Sequence, residues 1–304
     1  MNKIIVSILA YNSEMFIKYC LDGIYDFADK IVIVEGSYGL QRAFGLRSTD
    51  RTIEIVKNYP DLQKKIVFLQ KNGKEHEHRN EVLKYCEPGD WFFTVHTDEF
   101  YTKSHLKYLK DLLAKDKETD VYELPWFEFY YNFRLGIDGS YSSARIYRVR
   151  EGCRFIRKDQ LSTADGRQYY KMNFKRMDRN NILMFHYAYI YNVKKKMMYY
   201  GRKKMRWYNE VFTKFTPENA DAIYKKNEEI TGKYGIHPLG EESLVLAEFR
   251  GEHPEVMKDH PLRDRDLIEE FKRGYEEPGY DEGGIFGKLM TGLKYHYYKL
   301  LRND

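Results

Sequence analysis

The chain has 304 residues, of which 42% are hydrophobic, and its 51 basic and 46 acidic side chains give a net charge of +5. This length accommodates one large domain or a domain with an extension, and no segment approaches the ~20 apolar residues that a membrane-spanning helix needs. The mild positive excess permits a phosphate-bearing ligand or an anionic surface but does not require nucleic acid. Three widely spaced cysteines without zinc spacing indicate reduced thiols in a cytoplasmic protein.

Strands and helices are predicted to alternate through the first 100 residues. Apolar runs predict strands at 4–10, 30–34, 65–69 and 91–95. Helical spacing and capping residues predict helices over 14–26, after Ser48-Thr49-Asp50, and over 78–86. This order predicts an α/β fold with a mostly parallel, twisted sheet that is flanked by helices.

Polar side chains follow three of the predicted strands where each strand ends. Asn12 follows the first strand, Glu35 ends the second, and 96–99 (His-Thr-Asp-Glu) follow the fourth. Ligands of parallel α/β sheets bind beyond the carboxyl ends of the strands, so we expect the ligand site there. No glycine-rich dinucleotide fingerprint or phosphate-binding loop follows the first strand, which argues against dehydrogenases and P-loop enzymes.

The rest of the chain has a different composition. We predict that 1–100 and 101–200 are the two halves of one domain and that 201–304 is a helical extension. The second half contains an aromatic stretch from Trp126 to Phe133, and 194–212 read as a basic helix. The end of the chain is an amphipathic helix with basic flanks, which suits either an anionic membrane surface or packing on its own domain.

Five blocks in chain order resemble a family-2-like glycosyltransferase of the GT-A type. They are 7–14, 31–36, 48–52, 79–81 and 90–99. The resemblance covers about residues 3–200, and it implies a nucleotide-sugar donor, with UDP favoured, a saccharide or other hydroxyl acceptor, and Mn²⁺ or Mg²⁺ as cofactor. The chain departs from the pattern twice. An insertion, 37–47, separates the second and third blocks, and His96 stands where the first acidic residue of the D-x-D motif usually lies.

The resemblance also implies roles for individual residues. Nucleotide binding falls to Ala10, Tyr11, Asn12, Glu35, Arg79, His96 and Thr97. Asp98 matches the second acidic position of D-x-D and would hold the metal, with His186 completing its shell. Asp159 is the predicted general base that takes the proton of the acceptor hydroxyl, with Glu128 and Asp138 as runners-up.

Simpler roles for these residues stay open at this stage. Asp98 and Glu99 also suit the cap of a helix that begins near Lys103, and Asp50 suits a helix cap. His186 suits a packed strand, and Asp159 suits a surface ion pair. The basic stretch from 71 to 79, with His76 and His78, is interpreted as a solvated or phosphate-facing turn, and the aromatic stretch is expected to stack on acceptor sugars.

The preferred hypothesis is metal-dependent transfer of a sugar, with inversion, from a nucleoside diphosphate to a hydroxyl. A sugar-phosphate nucleotidyltransferase is the alternative. That class should carry a glycine-rich basic loop after the first strand, where this chain has Tyr-Asn-Ser-Glu at 11–14. A nucleic-acid-directed glycosyltransferase or binding protein is a third, less favoured hypothesis, and strongly salt-dependent DNA binding would support it. We also expect a cytoplasmic location, with peripheral membrane contact left open.

Overall fold

A computed structural model describes residues 2–38, 45–157, 160–166, 171–190, 246–267 and 270. They divide into two compact units. The first unit takes the described residues within 1–126, 141–184 and 254–256, and the second takes those within 127–140, 185–253 and 257–304. The predicted domain boundaries at 100 and 200 stay a prediction.

The architecture is mixed α/β, as predicted. The helices are α1 (Ile17–Ile24), α2 (Thr52–Lys57), α3 (Glu75–Leu83) and α4 (Lys103–Lys115). The strands are β1 (Ile4–Ala10), β2 (Lys30–Glu35), β3 (Ile66–Gln70), β4 (Trp91–His96), β5 (Glu99–Phe100), β6 (Val121–Tyr130), β7 (Leu135–Arg148), β8 (Arg154–Arg157), β9 (Gln160–Ser162), β10 (Phe174–Arg176), β11 (Met184–Tyr189) and β12 (Leu246–Glu248). A 3₁₀ helix spans Glu255–Met257.

The first unit is built on a parallel sheet in the order β3-β2-β1-β4. Every residue of β1 is buried, as are five of the six residues of β4, which explains why these strands read as continuous apolar runs. β4 also pairs antiparallel with the end of β7, where Phe92 faces Tyr147. The prediction of a mostly parallel sheet in this part of the chain is therefore confirmed.

Buried aromatic and cationic side chains pack against β4 on both faces of this sheet. The guanidinium carbon of Arg148 lies 4.1 Å from the ring centroid of Trp91, which is fully buried. The Trp91 indole N–H donates to the carbonyl of Leu113 at the end of α4. The rings of Phe92 and Phe155 lie 4.9 Å apart. These contacts fix β4, whose carboxyl end carries several of the predicted site residues.

The bounds of α1 and α3 differ from the predicted 14–26 and 78–86 at both ends. α1 begins at Ile17 rather than at 14, because the Ser13 hydroxyl bonds within its own loop, to the main chain of Tyr11. α3 begins at Glu75 and therefore includes His76 and His78. The interpretation of His76 and His78 as a solvated or phosphate-facing turn is wrong in its local structure, since both lie in the helix and His78 is fully buried. Contact of this basic stretch with a phosphate stays a prediction.

The N-terminal cap of α4 is a residue other than Asp98 or Glu99. Thr102 is the N-cap residue, and its hydroxyl accepts a hydrogen bond from the main-chain N–H of His105 at 3.2 Å. Asp98 lies in a turn before this helix, and Glu99 belongs to β5. The alternative in which Asp98 and Glu99 cap the helix near Lys103 is therefore wrong.

The second unit has an aromatic interior. The side chains of Phe127, Phe129, Tyr130, Tyr131 and Phe133 are all buried. Phe129 stacks on Tyr187 with 4.5 Å between ring centroids, and Tyr130 stacks on Tyr189 at 4.7 Å. These rings are already covered by protein, so the expectation that they stack on acceptor sugars is wrong. Trp126, which is half-buried, belongs to the first unit.

Several predictions concern segments outside the described residues. These are the base candidate Asp159, the basic helix at 194–212, and the amphipathic terminal helix. The backbone of Asp138 lies in β7. The described parts of 201–304 contain β12 and the 3₁₀ helix. Within the described chain, no helix is both long enough and apolar enough to cross a membrane.

Candidate functional site

The carboxyl edge of the parallel sheet, meaning the carboxyl ends of β3, β2, β1 and β4 with the residues directly after them, brings the predicted polar residues together. Ala10 pairs with Glu35 across β1 and β2, and Leu9 pairs with His96 across β1 and β4. Asn12, Glu35 and Asp98 therefore follow or end adjacent strands at one edge. This is the arrangement that the sequence predicts for a ligand site.

The loop after β1 is held in an unusual backbone conformation. Asn12 has φ 48°, and its main-chain N–H donates to the Ser48 hydroxyl at 2.9 Å. The side-chain oxygen of Asn12 accepts from the main-chain N–H of Thr49 at 2.8 Å. Its amide nitrogen Nδ2 is buried without a hydrogen-bond partner among the described residues. A buried donor without a partner is destabilising, so a ligand acceptor at this position would be favoured.

Ala10, Tyr11 and Thr97 shape the same loop. The carbonyl of Ala10 accepts from the main-chain N–H of Gly36 at 3.1 Å. The buried Tyr11 donates its hydroxyl proton to the carbonyl of Gly45 at 3.3 Å. The Thr97 hydroxyl donates to the Ser13 hydroxyl at 3.1 Å, which joins the loop after β4 to the loop after β1.

Asp50 links the same loop to α2. Its carboxylate accepts from the main-chain N–H of Thr52 at 3.0 Å and from that of Glu14 at 3.1 Å. The residue therefore satisfies a donor in the first turn of α2 and also fixes the loop after β1. The bond to Thr52 is consistent with the suggestion that Asp50 caps a helix. The bond to Glu14 adds a role that the local sequence does not predict.

Glu35 faces the protein rather than the solvent. Its side chain is fully buried. One carboxylate oxygen accepts from the main-chain N–H of Ser48 at 2.7 Å, and the other accepts from the side-chain amide of Gln70 at 3.0 Å. Glu35 thus fixes the end of the 37–47 insertion against β2 and β3, and its direct contact with a nucleotide stays a prediction.

Arg79 is also fully buried, in α3. Its guanidinium donates to the Thr94 hydroxyl at 3.0 Å and to the Glu75 carboxylate at 2.8 Å. The same Nη2 atom lies 3.4 Å from Nε2 of His96. In this arrangement Arg79 orients His96, and its contact with a diphosphate remains a prediction.

His96 is held from its other side by Glu99, which is fully buried. The His96 Nδ1 atom lies 3.0 Å from Oε1 of Glu99, and the His96 main-chain N–H donates to Oε2 at 3.0 Å. Arg145 on β7 donates to both carboxylate oxygens, from Nη2 at 2.7 Å and from Nε at 3.2 Å. Bidentate pairs of this kind are the stronger type of charged hydrogen bond.

Sequence reasoning missed Arg145 as part of the site. It lies in β7, between the buried apolar residues Ala144 and Ile146. An arginine within an apolar strand could have identified this position, because a buried charge needs a buried partner of opposite charge. The partner, Glu99, could not be identified, since it lies far away in the sequence.

The donor set at the carboxyl edge fits a divalent cation in part. Asp98 is half-buried directly after β4, Glu99 is bonded to Arg145, and both ring nitrogens of His96 face protein groups. No group of three or more His, Cys, Asp or Glu residues in the described chain is arranged to hold an ion. A cation held by the Asp98 carboxylate would therefore take its other ligands from phosphate and water, as Mg²⁺ commonly does.

His186 belongs to the second unit. Its Nδ1 atom lies 2.8 Å from the Glu128 carboxylate, whose other oxygen accepts from the Tyr130 hydroxyl at 2.6 Å. His186 and Glu128 are both mostly buried. The metal-ligand role of His186 and the base role of Glu128 stay predictions.

No protein-family model and no curated protein matches this sequence. Two solved structures of glucosyl-3-phosphoglycerate synthase from Mycobacterium tuberculosis, both complexes with Mn²⁺ and UDP, are similar at 17% identity, with TM-scores of 0.30 and 0.29. The similarity covers 42% of this chain and 43% and 44% of those chains. A Bacillus anthracis structure assigned as a glucose-1-phosphate thymidylyltransferase has 8% identity and a TM-score of 0.29, over 49% of this chain and 69% of that chain. Likenesses at this level carry no argument about activity.

Proposed function

We propose that this chain is a GT-A-type glycosyltransferase, which transfers a sugar from a nucleoside diphosphate donor to a hydroxyl acceptor. The observation that carries the proposal is the carboxyl edge, where Asn12, His96 and Asp98 follow or end adjacent parallel strands. A donor requires polar groups for its nucleoside and a charged site for its diphosphate. The resemblance of the five sequence blocks supports the same assignment.

The donor would bind along the carboxyl edge. The residues proposed to contact or shape its nucleotide are Ala10, Tyr11, Asn12, Glu35, Arg79, His96 and Thr97. The buried amide nitrogen of Asn12 supports this role, because it has no hydrogen-bond partner among the described residues. The buried positions of Glu35 and Arg79 support indirect roles, through the insertion and through His96 respectively.

Asp98 would hold Mn²⁺ or Mg²⁺, and the metal-ligand role of His186 stays a separate prediction. When bound, such an ion offsets the negative charge that develops on the diphosphate leaving group. The half-buried carboxylate of Asp98 directly after β4 supports its part of this role. Asp159 would accept the proton of the acceptor hydroxyl as its oxygen attacks the sugar C1, so that one displacement inverts the configuration at that carbon.

Donor binding and turnover test this proposal. We would measure hydrolysis and transfer from a panel of UDP- and GDP-sugars, with Mn²⁺ and with EDTA, for the wild type and Asp98→Asn. The matched control is Asp111→Asn, which removes the same charge from an exposed position on α4. We expect Asp98→Asn and EDTA each to reduce turnover by about a hundredfold or more, as loss of charge stabilisation in a transition state does. Asp111→Asn should behave as the wild type.

Two results would contradict the proposal. Turnover that survives both EDTA and Asp98→Asn would remove the metal role of this residue. Release of pyrophosphate from a nucleoside triphosphate and a sugar phosphate, without sugar transfer, would instead identify a nucleotidyltransferase.

A further inference from the structure

The end of the 37–47 insertion is fixed firmly onto the carboxyl edge. Three contacts hold it, one to the loop after β1, one to the start of the same insertion and one to the end of β2. The Gly45 carbonyl accepts from the Tyr11 hydroxyl, the Leu46 carbonyl accepts from the main-chain N–H of Ser37 at 3.2 Å, and Arg47 binds the end of β2. These contacts hold residues 45–47 in defined positions.

Arg47 is anchored through one end of its guanidinium. Its Nη1 atom donates to the carbonyl of Glu35 at 3.2 Å and to the side-chain oxygen of Asn72 at 3.3 Å, and it lies 3.9 Å from the Glu35 carboxylate. Within the described residues, the hydrogen bonds of Arg47 involve no other nitrogen of its side chain. The side chain is 40% exposed, so a fixed guanidinium offers donors at the carboxyl edge.

Glu35 cannot offer the same contact. Both of its carboxylate oxygens accept hydrogen bonds from the chain, and its side chain is fully buried. The acidic residue that the resemblance assigns to the nucleotide therefore supports Arg47 instead. The exposed group at the end of β2 is a hydrogen-bond donor, and it suits a ligand acceptor such as a carbonyl oxygen.

The position of Arg47 relative to Asp98 decides which part of a nucleotide it would meet. Arg47 bonds residues at the ends of β2 and β3, while Asp98 follows β4. In the order β3-β2-β1-β4, β2 is two strands and β3 three strands from β4, which is about 10 to 14 Å at the usual strand spacing of ~4.8 Å. A diphosphate near Asp98 is separated from its base by the ribose, so the base would reach the end that Arg47 occupies.

We propose that Arg47 recognises the nucleobase of the donor, by donating hydrogen bonds to a ring carbonyl oxygen of uracil or guanine. This inference rests on the proposed function, since it requires that a nucleoside diphosphate binds at the carboxyl edge. Adenine carries an amino group where guanine has its carbonyl and would not accept the same bond. Leu46, which is 50% exposed beside Arg47, adds an apolar surface for the base.

Direct nucleotide binding tests the proposal. Dissociation constants of UDP, GDP and ADP would be measured by calorimetry with Mn²⁺ present, for the wild type, Arg47→Ala and Arg47→Lys. The matched control is Arg51→Ala, which removes the same charge from an exposed position that pairs with Glu54 on α2. Thermal unfolding without ligand would establish that each variant folds, and Arg47→Lys is the variant to use if Arg47→Ala does not fold.

We expect Arg47→Ala to weaken UDP or GDP about tenfold or more, as loss of a charged hydrogen bond does, and to change ADP less than twofold. Arg47→Lys should also weaken UDP or GDP, because an ammonium group lacks the planar fork. Equal weakening of all three nucleotides would indicate a phosphate contact and overturn the proposal. If the wild type binds UDP and Arg47→Ala binds it equally well, this inference fails while the proposed function stands. If the wild type binds no nucleotide, the proposed function fails as well.

Discussion

Replacing Arg145 by Met should destabilise the protein far more than replacing an exposed arginine. The ion pair between Arg145 and Glu99 has two hydrogen bonds, and both side chains are almost fully excluded from solvent, at 3% and 0% exposure. Arg145→Met leaves the Glu99 carboxylate buried without its cation. Breaking one side of a buried pair costs about 3–5 kcal/mol of unfolding free energy.

A second substitution separates the cost of the unpaired charge from the value of the pair. In Glu99→Gln/Arg145→Met no unpaired carboxylate remains at position 99, so the double variant should be more stable than Arg145→Met alone. The free energies would come from urea unfolding, followed by circular dichroism. Additive losses in the double variant would contradict the claim that the unpaired Glu99 charge causes the destabilisation.

The control is the pair of Arg150 with Asp120, in which the arginine is half exposed. Arg150→Met should change the unfolding free energy by about 1 kcal/mol or less, because solvent screens such a pair. If Arg145→Met costs no more than Arg150→Met, the Glu99 carboxylate does not depend on Arg145 and our account of the buried pair is wrong.

Two further substitutions test the surroundings of the carboxyl edge. Burial and the nearby Lys71 charge lower the pKa of His78 to about 4, so this residue alone should reduce stability as the pH drops below 6.5, by about 2 kcal/mol at pH 5. His78→Leu should flatten this part of a urea-derived stability curve by that amount. Gly36 has φ 140°, and a Cβ there would lie 2.0 Å from the Lys71 carbonyl, so Gly36→Ala should lower the melting temperature and cost about 2 kcal/mol or more.

A second histidine, His253, affects the same pH range, because burial also lowers its pKa to about 4. The folded forms of both histidines resist protonation, so each contributes to the loss of stability between pH 6.5 and 4, and His78→Leu should reduce the slope without removing it. A variant curve parallel to that of the wild type would contradict the His78 assignment.

Gly166→Ala is the control for Gly36, because its φ is also positive while nothing lies within 4 Å of the added Cβ. Equal losses in the two glycine variants would show that backbone strain, rather than the Lys71 carbonyl, limits position 36.

The sheet was predictable because its signal is local. A strand buried on both faces, such as β1, needs a continuous apolar run, and the order of strands and helices then indicates parallel pairing. The meeting of Asn12, Glu35 and 96–98 at one edge follows from that pairing alone. This much of the candidate site could be inferred before any side-chain contact was known.

The partners of the charged residues could not be predicted in the same way. Glu35 bonds the main chain of Ser48 after an insertion, and Glu99 bonds Arg145 across a separation of 46 residues. Such contacts depend on how loops and distant strands close, which no local pattern encodes. The prediction that the aromatic rings at 126–133 stack on acceptor sugars failed for a related reason. An aromatic-rich sequence does not indicate whether other parts of the protein cover its rings. Phe129 is covered by Tyr187, 58 residues further along the chain.

The two departures from the glycosyltransferase pattern share one physical feature. In each, an acidic residue points into the protein and supports a nitrogen-bearing side chain at the carboxyl edge. Glu99 supports His96, and Glu35 fixes the insertion that carries Arg47. Burying the two carboxylates with partners avoids unpaired charge, holds the His96 ring in a fixed orientation, and leaves part of the Arg47 guanidinium exposed.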